Sequence, residues 1–251
     1  MRCPSQPIGV MDSGAGGLTV AACIHRLLPH EDIAYFGDSA NCPYGNRSGD
    51  EIFSLSCRMI DRLLEKNVKC VAIACNTIST ISGRLCLAYP GLKIISIVEA
   101  ASGRIGKLSL PSVGLYATNF TVASGMYEKL IHEINPGCSV YAAGASNLAG
   151  MIEHGASGKE IEAEIKDGVS RILAQDSTDS LILGCTHFPI VSDVFHRLYP
   201  RLNLIDPAVY QAEAVRDYLG ENGLLNISGG SVEIESSGSS EALESVFNTL
   251  K

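Results

Sequence analysis

Short apolar runs alternate with stretches of helical period along this chain. The runs that read as strands are Pro7 to Met11, Asp32 to Phe36, Cys70 to Ala74, Lys93 to Ile97, Ser112 to Tyr116, Ser139 to Ala142, Ser180 to Leu183 and Asn203 to Ile205. Between them, Ile52, Leu55, Met59, Ile60, Leu63 and Leu64 fall on one helical face, and so do Ile161, Ile165, Val169, Ile172 and Leu173. Ser157 followed by Glu160 opens the second of these helices as a capping box. Alternation of this kind predicts an α/β fold, a mostly parallel sheet covered by helices.

The pattern also repeats itself. Ile8 to Ser13 resembles Val113 to Thr118, Val71 to Thr77 resembles Leu181 to His187, and Ser96 to Ala100 loosely resembles Leu204 to Ala208, in the same order and at a nearly constant offset. A single doubly wound domain is the competing arrangement, but the ordered echo favours two pseudo-symmetric doubly wound parallel-sheet domains. Beyond Asp206, Val232 and Ile234 alternate like an edge strand, and Leu243, Val246, Phe247 and Leu250 form a helical stripe. Returning this tail to the first half makes that domain discontinuous, residues 1–97 with 208–251, against 98–207 for the second. Ligands of open α/β sheets bind beyond the carboxyl ends of the strands, so the active site is expected in the cleft between the halves.

Composition narrows the class of molecule. Hydrophobic residues make up 46% of the 251 positions and charged residues 18%, the reverse of a disordered chain. The net charge is −8 and no basic cluster appears, so a nucleic-acid partner is not expected. Met1 to Val10 lacks the pattern of a signal peptide, and no apolar run of about 18 residues is available to span a membrane. A cytoplasmic protein is expected. Whether it is a homodimer stays open, because a dimerising helix face looks like one that packs internally.

The nine cysteines are odd in number and none is spaced Cys-x-x-Cys, so neither disulfides nor a bound metal is expected. Most cytosolic cysteines are small buried apolar residues. Cys75 and Cys185 differ: each follows an apolar strand and precedes a polar loop, Asn76 and Thr77 in one case, Thr186 and His187 in the other. The loop Gly14-Ala15-Gly16-Gly17-Leu18-Thr19 has Thr19 where a dinucleotide fingerprint needs its third glycine, and no phosphate loop occurs elsewhere. Asp12 and Ser13 ahead of these glycines favour an ammonium or carboxylate ligand over a pyrophosphate.

Taken together, Asp12-Ser13-Gly14-Ala15-Gly16-Gly17, Gly37-Asp38, Pro43-Tyr44-Gly45, Ala74-Cys75-Asn76-Thr77 and Gly184-Cys185-Thr186-His187 resemble the glutamate racemases of the cofactor-independent aspartate/glutamate racemase superfamily, from about Ile8 to Asp206. The resemblance implies interconversion of L- and D-glutamate without a cofactor, supplying D-glutamate for peptidoglycan. Inverting an α-carbon that way needs one group to remove a proton on one face and another to deliver one on the opposite face. Thiols suit this task. By resemblance, Cys75 acts on the D enantiomer with help from Asp12, and Cys185 on the L enantiomer with help from His187 and Glu153. Substrate contacts are implied for Ser13, Pro43, Tyr44, Gly45, Asn76, Thr77, Thr118, Thr121 and Thr186, none of them cationic.

Three departures from the family pattern stand out. Ala145, Ser146 and Asn147 replace a Cys-Pro pair ahead of the Glu; Cys42, in place of an aliphatic residue, adds a third thiol beside Pro43; and Ser39 replaces Thr after Asp38. The other readings are a racemase of aspartate or a hydantoin, and a non-catalytic two-lobed binding protein. Relatives that decarboxylate keep one of the two thiols, so the presence of both argues against that reaction.

Overall fold

The computed structural model describes residues 2–250. Its elements are β1 (Ile8–Asp12), α1 (Leu18–Leu27), β2 (Ile33–Gly37), α2 (Gly49–Glu65), β3 (Cys70–Ile73), α3 (Asn76–Ser79), α4 (Ser82–Ala88), β4 (Ile94–Ser96) and α5 (Ile97–Ile105). There follow β5 (Ser112–Thr118), α6 (Asn119–Ala123), α7 (Met126–Ile134), β6 (Ser139–Ala145), α8 (Leu148–Glu153), α9 (Gly158–Leu173), β7 (Ser180–Gly184), α10 (Ser192–Leu198), β8 (Asn203–Ile205), α11 (Pro207–Glu221), β9 (Val232–Ser236) and α12 (Ser240–Leu250). Every expected strand is present, with β5 and β6 running on to Thr118 and Ala145.

These strands form two sheets, ordered β4-β3-β1-β2-β9 and β6-β5-β7-β8, with every pairing parallel. Read from the other edge, the second sheet runs β8-β7-β5-β6, the order of β4-β3-β1-β2 in the first. The echo in the sequence is therefore a repeat of topology, β1 matching β5, β3 matching β7 and β4 matching β8. The tail strand β9 adds to the open edge of β2, with Ile33 opposite Val232.

Apolar packing forms three layers. Met11, Val71 and Ile73 meet Ile52, Met59 and Ile60 of α2 on one face of the first sheet. Tyr116, Leu181 and Leu183 meet Ile161, Ile165 and Val169 of α9 on one face of the second. The remaining faces share a single core through α1, α5 and α11, which joins Ile8 and Val10 to Val113 and Ile182 by way of Ile97, Ala101, Ala212 and Val215. Shared packing of this kind holds the carboxyl ends of both sheets near one another. One expected core position fails: Leu64 is 40% exposed, because the buried arc of α2 ends at Leu63. The Ser157–Glu160 capping box forms as expected, and Ser48 with Glu51 makes a second at the start of α2.

At the amino ends of the strands, far along β3 from Cys75, the fully buried Lys69 pairs with Glu31 and donates to the carbonyls of Pro4 at 2.7 Å and Leu224 at 2.9 Å. Among the described residues no helix is long and apolar enough to cross a membrane.

Candidate active site

Both thiols and several of their candidate partners stand where a parallel strand releases into a loop. Asp12 ends β1, Cys75 follows β3 and precedes α3, Thr118 ends β5, and Cys185, Thr186 and His187 follow β7. Parallel strands point their carboxyl ends the same way, so these loops meet in one place. A cavity of about 20 Å³ is lined there by Ser13, Cys42, Pro43, Tyr44, Gly45, Cys75, Asn76, Thr77, Thr118, Ala149, Cys185, Thr186 and His187. That is room for one water, not for an amino acid. A second cavity of about 50 Å³ adjoins it through Pro43, Gly45, Thr118 and Ala149, and the departing stretch Ala145-Ser146-Asn147 lines this outer space.

Three expected site residues stand behind the wall instead of in it. Asp12 is fully buried; its carboxylate accepts from the Gly14 amide at 2.9 Å and the Thr186 hydroxyl at 3.0 Å. Glu153, at the end of α8, bonds the His187 ring and accepts from the Ala15 amide at 3.3 Å. Thr121 supports Thr118, whose hydroxyl caps α6 and lies 2.9 Å from Thr121 Oγ1 and 2.9 Å from Thr77 Oγ1.

The surroundings of the two thiols differ. Cys75 Sγ has the Ser13 hydroxyl at 3.6 Å. Burial, then the nearby Asp12 charge, push its pKa up to about 12, against the opposing pull of the Ile78 amide and Ser13. Cys185 Sγ has the Nδ1 atom of His187 at 3.8 Å, while the Nε2 atom of that ring bonds Glu153. Burial alone would depress His187, yet hydrogen bonds to Cys185 and Glu153 hold it well above the ordinary histidine value. Burial likewise opposes the charge on Glu153, but the His187 bond wins and lowers it. Asp12 is raised, first by desolvation. Cys42 is also raised, first by burial and then by Glu153 and Asp12.

Contacts between the halves close the floor of the site. Thr186 reaches Asp12, Thr118 reaches Thr77, and Glu153 reaches the Ala15 amide. Gly16 is what permits this approach: a Cβ there would stand 2.5 Å from Thr186 Oγ1 and 2.7 Å from His187 Nδ1. The glycine loop thus serves close packing of one half on the other.

Sequence reasoning missed Tyr127. It is fully buried on α7 and donates to Asn76 Oδ1 at 2.7 Å, while Asn76 Nδ2 is buried with no hydrogen-bond partner. In the sequence it stands between Met126 and Glu128, with nothing to tie it to Asn76. Ala149 in the cavity wall carried no signal either.

Fold and site together define a two-lobed, doubly wound α/β protein in which a thiol at the equivalent strand end of each lobe, Cys75 and Cys185, faces a shared cavity. Residues 8–215 match the family model described as Asp/Glu/Hydantoin racemase. The chain belongs to the Asp/Glu/Hydantoin racemase family. It is 36% identical over 240 residues to the glutamate racemase of Carboxydothermus hydrogenoformans, covering 95% of this chain and 89% of that one. Among solved structures, the glutamate racemase of Francisella tularensis in complex with D-glutamate superposes with a TM-score of 0.88 at 33% identity, covering 98% of this chain and 94% of that one. A glutamate racemase isoform of Bacillus anthracis gives a TM-score of 0.89 at 29% identity over the same shares.

Proposed function

We propose that this chain interconverts L- and D-glutamate by a two-base mechanism in which Cys75 and Cys185 carry the proton. The observation that supports it most is the placement of the two thiols at equivalent strand ends, β3 and β7, on one cavity. With L-glutamate, the Cys185 thiolate takes the α-proton on one face while the Cys75 thiol gives its own proton to the other. With D-glutamate the roles reverse. Each turnover moves one proton onto one sulfur and one off the other, so no external cofactor is needed. A protonated Cys75, as burial and Asp12 keep it, is the form required to donate. His187, whose proton affinity its hydrogen bonds to Cys185 and Glu153 raise, is the kind of neighbour that favours a thiolate.

The carbanion that forms between the two steps needs donors around its carboxylate. The unpartnered Asn76 Nδ2 and the hydroxyls of Ser13, Thr77, Thr118 and Thr186 supply them, with Thr121 holding Thr118 in place. Pro43, Tyr44 and Gly45 form the outer wall. Because the space is smaller than glutamate, the two lobes (1–97 with 208–251, and 98–207) part to admit it, separating Thr186 from Asp12 and Thr118 from Thr77. We further place the enzyme in the cytoplasm, where its D-glutamate enters peptidoglycan synthesis.

Incubation in deuterium oxide without pyridoxal phosphate tests the reading. Exchange of the α-hydrogen of glutamate and decay of its optical rotation are expected. Reaction with aspartate or a hydantoin alone would move the substrate assignment within the family. Reaction with none of them would leave a two-lobed binding protein.

A further inference from the structure

Cys42 is a third sulfur on the cavity, and the proton-transfer scheme has no use for it. It comes from the loop after β2, in the first lobe, while Glu153 and His187 come from the second. Cys42 Sγ, a carboxylate oxygen of Glu153 and a ring nitrogen of His187 all lie within 4.8 Å of one another, and they are the sole such group of three among the described residues. Gly14 leaves the space between Cys42 and Glu153 open: a Cβ there would stand 3.0 Å from both Cys42 Sγ and Glu153 Oε1. Thiolate, imidazole and carboxylate in one place are the donor set of zinc and its soft neighbours, whereas magnesium and calcium favour oxygen alone. Donors around a tetrahedral zinc stand about 3.3 to 3.6 Å apart, so side-chain rotations on the order of 1 Å bring the three into range.

We propose that Cys42, Glu153 and His187 form a chelating site for a zinc-like divalent cation, which bridges the two lobes and inhibits the enzyme. Cys42 enters as the thiolate and His187 as the neutral imidazole, and the proton that each gives up leaves to solvent. Coordination takes the His187 ring and the Glu153 carboxylate away from each other and from Cys185, and it ties together lobes that must part for substrate. The inhibition rests on the racemase reading; the binding does not.

Titration calorimetry of the full chain with zinc chloride and, separately, magnesium chloride tests the site, alongside absorption spectra with cobalt(II) chloride as a visible surrogate. One micromolar zinc equivalent, a thiolate-to-cobalt charge-transfer band, no magnesium binding and loss of racemisation reversed by chelator are expected. Cys42→Ala and the near-isosteric Cys42→Ser should each weaken that equivalent by on the order of 100-fold and remove the band, while Cys75→Ala keeps both. Absence of zinc binding overturns the proposal. So does zinc bound equally by wild type and both Cys42 variants but lost in Cys75→Ala, which places the ion on the proton-carrying thiols. If the chain does not racemise glutamate, calorimetry and the cobalt spectrum still decide the site.

Discussion

Cys75 and Cys185 occupy matching places in two lobes of the same topology, yet their neighbours are chemically opposite. Cys75 stands by a hydroxyl and a buried carboxylate, and Cys185 by an imidazole whose pKa that thiol and a second carboxylate raise. Repetition of a fold fixes where backbone ends meet; it does not fix the electrostatics that each copy builds around its end. The asymmetry suits a reaction whose resting state needs one sulfur with a proton and one without.

The sharpest way to break the comparison is to remove each sulfur in turn. Cys75→Ala and Cys185→Ala should each lower racemisation by about 10³-fold or more, measured by circular dichroism of glutamate, because one general acid-base group carries roughly 10² to 10⁴ in rate and its absence stops the relay. Full activity after either change would sink the two-base reading.

Next come the neighbours. Asp12→Asn and His187→Asn should each lower kcat/KM by about 10²-fold. Enantiomers have equal free energy, so this loss must be the same in both directions. The difference between the two sides then appears in kcat and KM taken separately, with Asp12→Asn acting more on kcat from D-glutamate and His187→Asn more on kcat from L-glutamate. Identical splits for the two variants would show the surroundings to be interchangeable.

Glu153→Gln tests what keeps His187 charged. In the wild type, the contribution of the raised His187 is complete below the ordinary value of 6.5 and fades as pH rises through its elevated pKa. The contribution of the lowered Glu153 is complete above 4.5 and fades as pH falls through its depressed pKa. The wild type should therefore exceed Glu153→Gln in unfolding free energy by about 1 to 3 kcal/mol, most widely between pH 4.5 and 6.5. Denaturant melts across pH measure this, and a gap that does not narrow at alkaline pH would rule out a charged pair.

The smallest effect is expected at Tyr127, a positioning residue for Asn76. Tyr127→Phe removes one buried hydrogen bond worth about 1 kcal/mol, which should raise KM roughly fivefold with kcat less affected. Equal losses in kcat and KM, or a lowered melting temperature without either, would leave Tyr127 a core residue only.

Much of this was legible before any coordinates. The strands announced themselves as apolar runs, because a parallel strand covered on both faces has no solvent side to encode. Thiols at strand ends stood out by the change from apolar to polar neighbours, and Ser157 with Glu160 marked a helix start through purely local bonds. Asp12, Glu153 and Thr121 were nameable through the family resemblance, but their standing behind the cavity wall was not, since depth is set by what packs on top of a residue. Gly16 read as a loop glycine, and its closeness to Thr186 and His187 depends on a segment from the other lobe. Leu64 had the right period and the wrong end of the arc.

By itself, then, the sequence determined what depends on neighbours along the chain: strands, helix caps, the repeat of a topology, and the two sulfurs released at equivalent ends. The tertiary structure decided what depends on neighbours across the cleft. It placed Thr186 on Asp12, Tyr127 on Asn76, and Cys42 beside a carboxylate and an imidazole. Proton affinity and metal affinity depend on separations of a few ångströms between charges and on the exclusion of water, and those come into being only when the two lobes share one core.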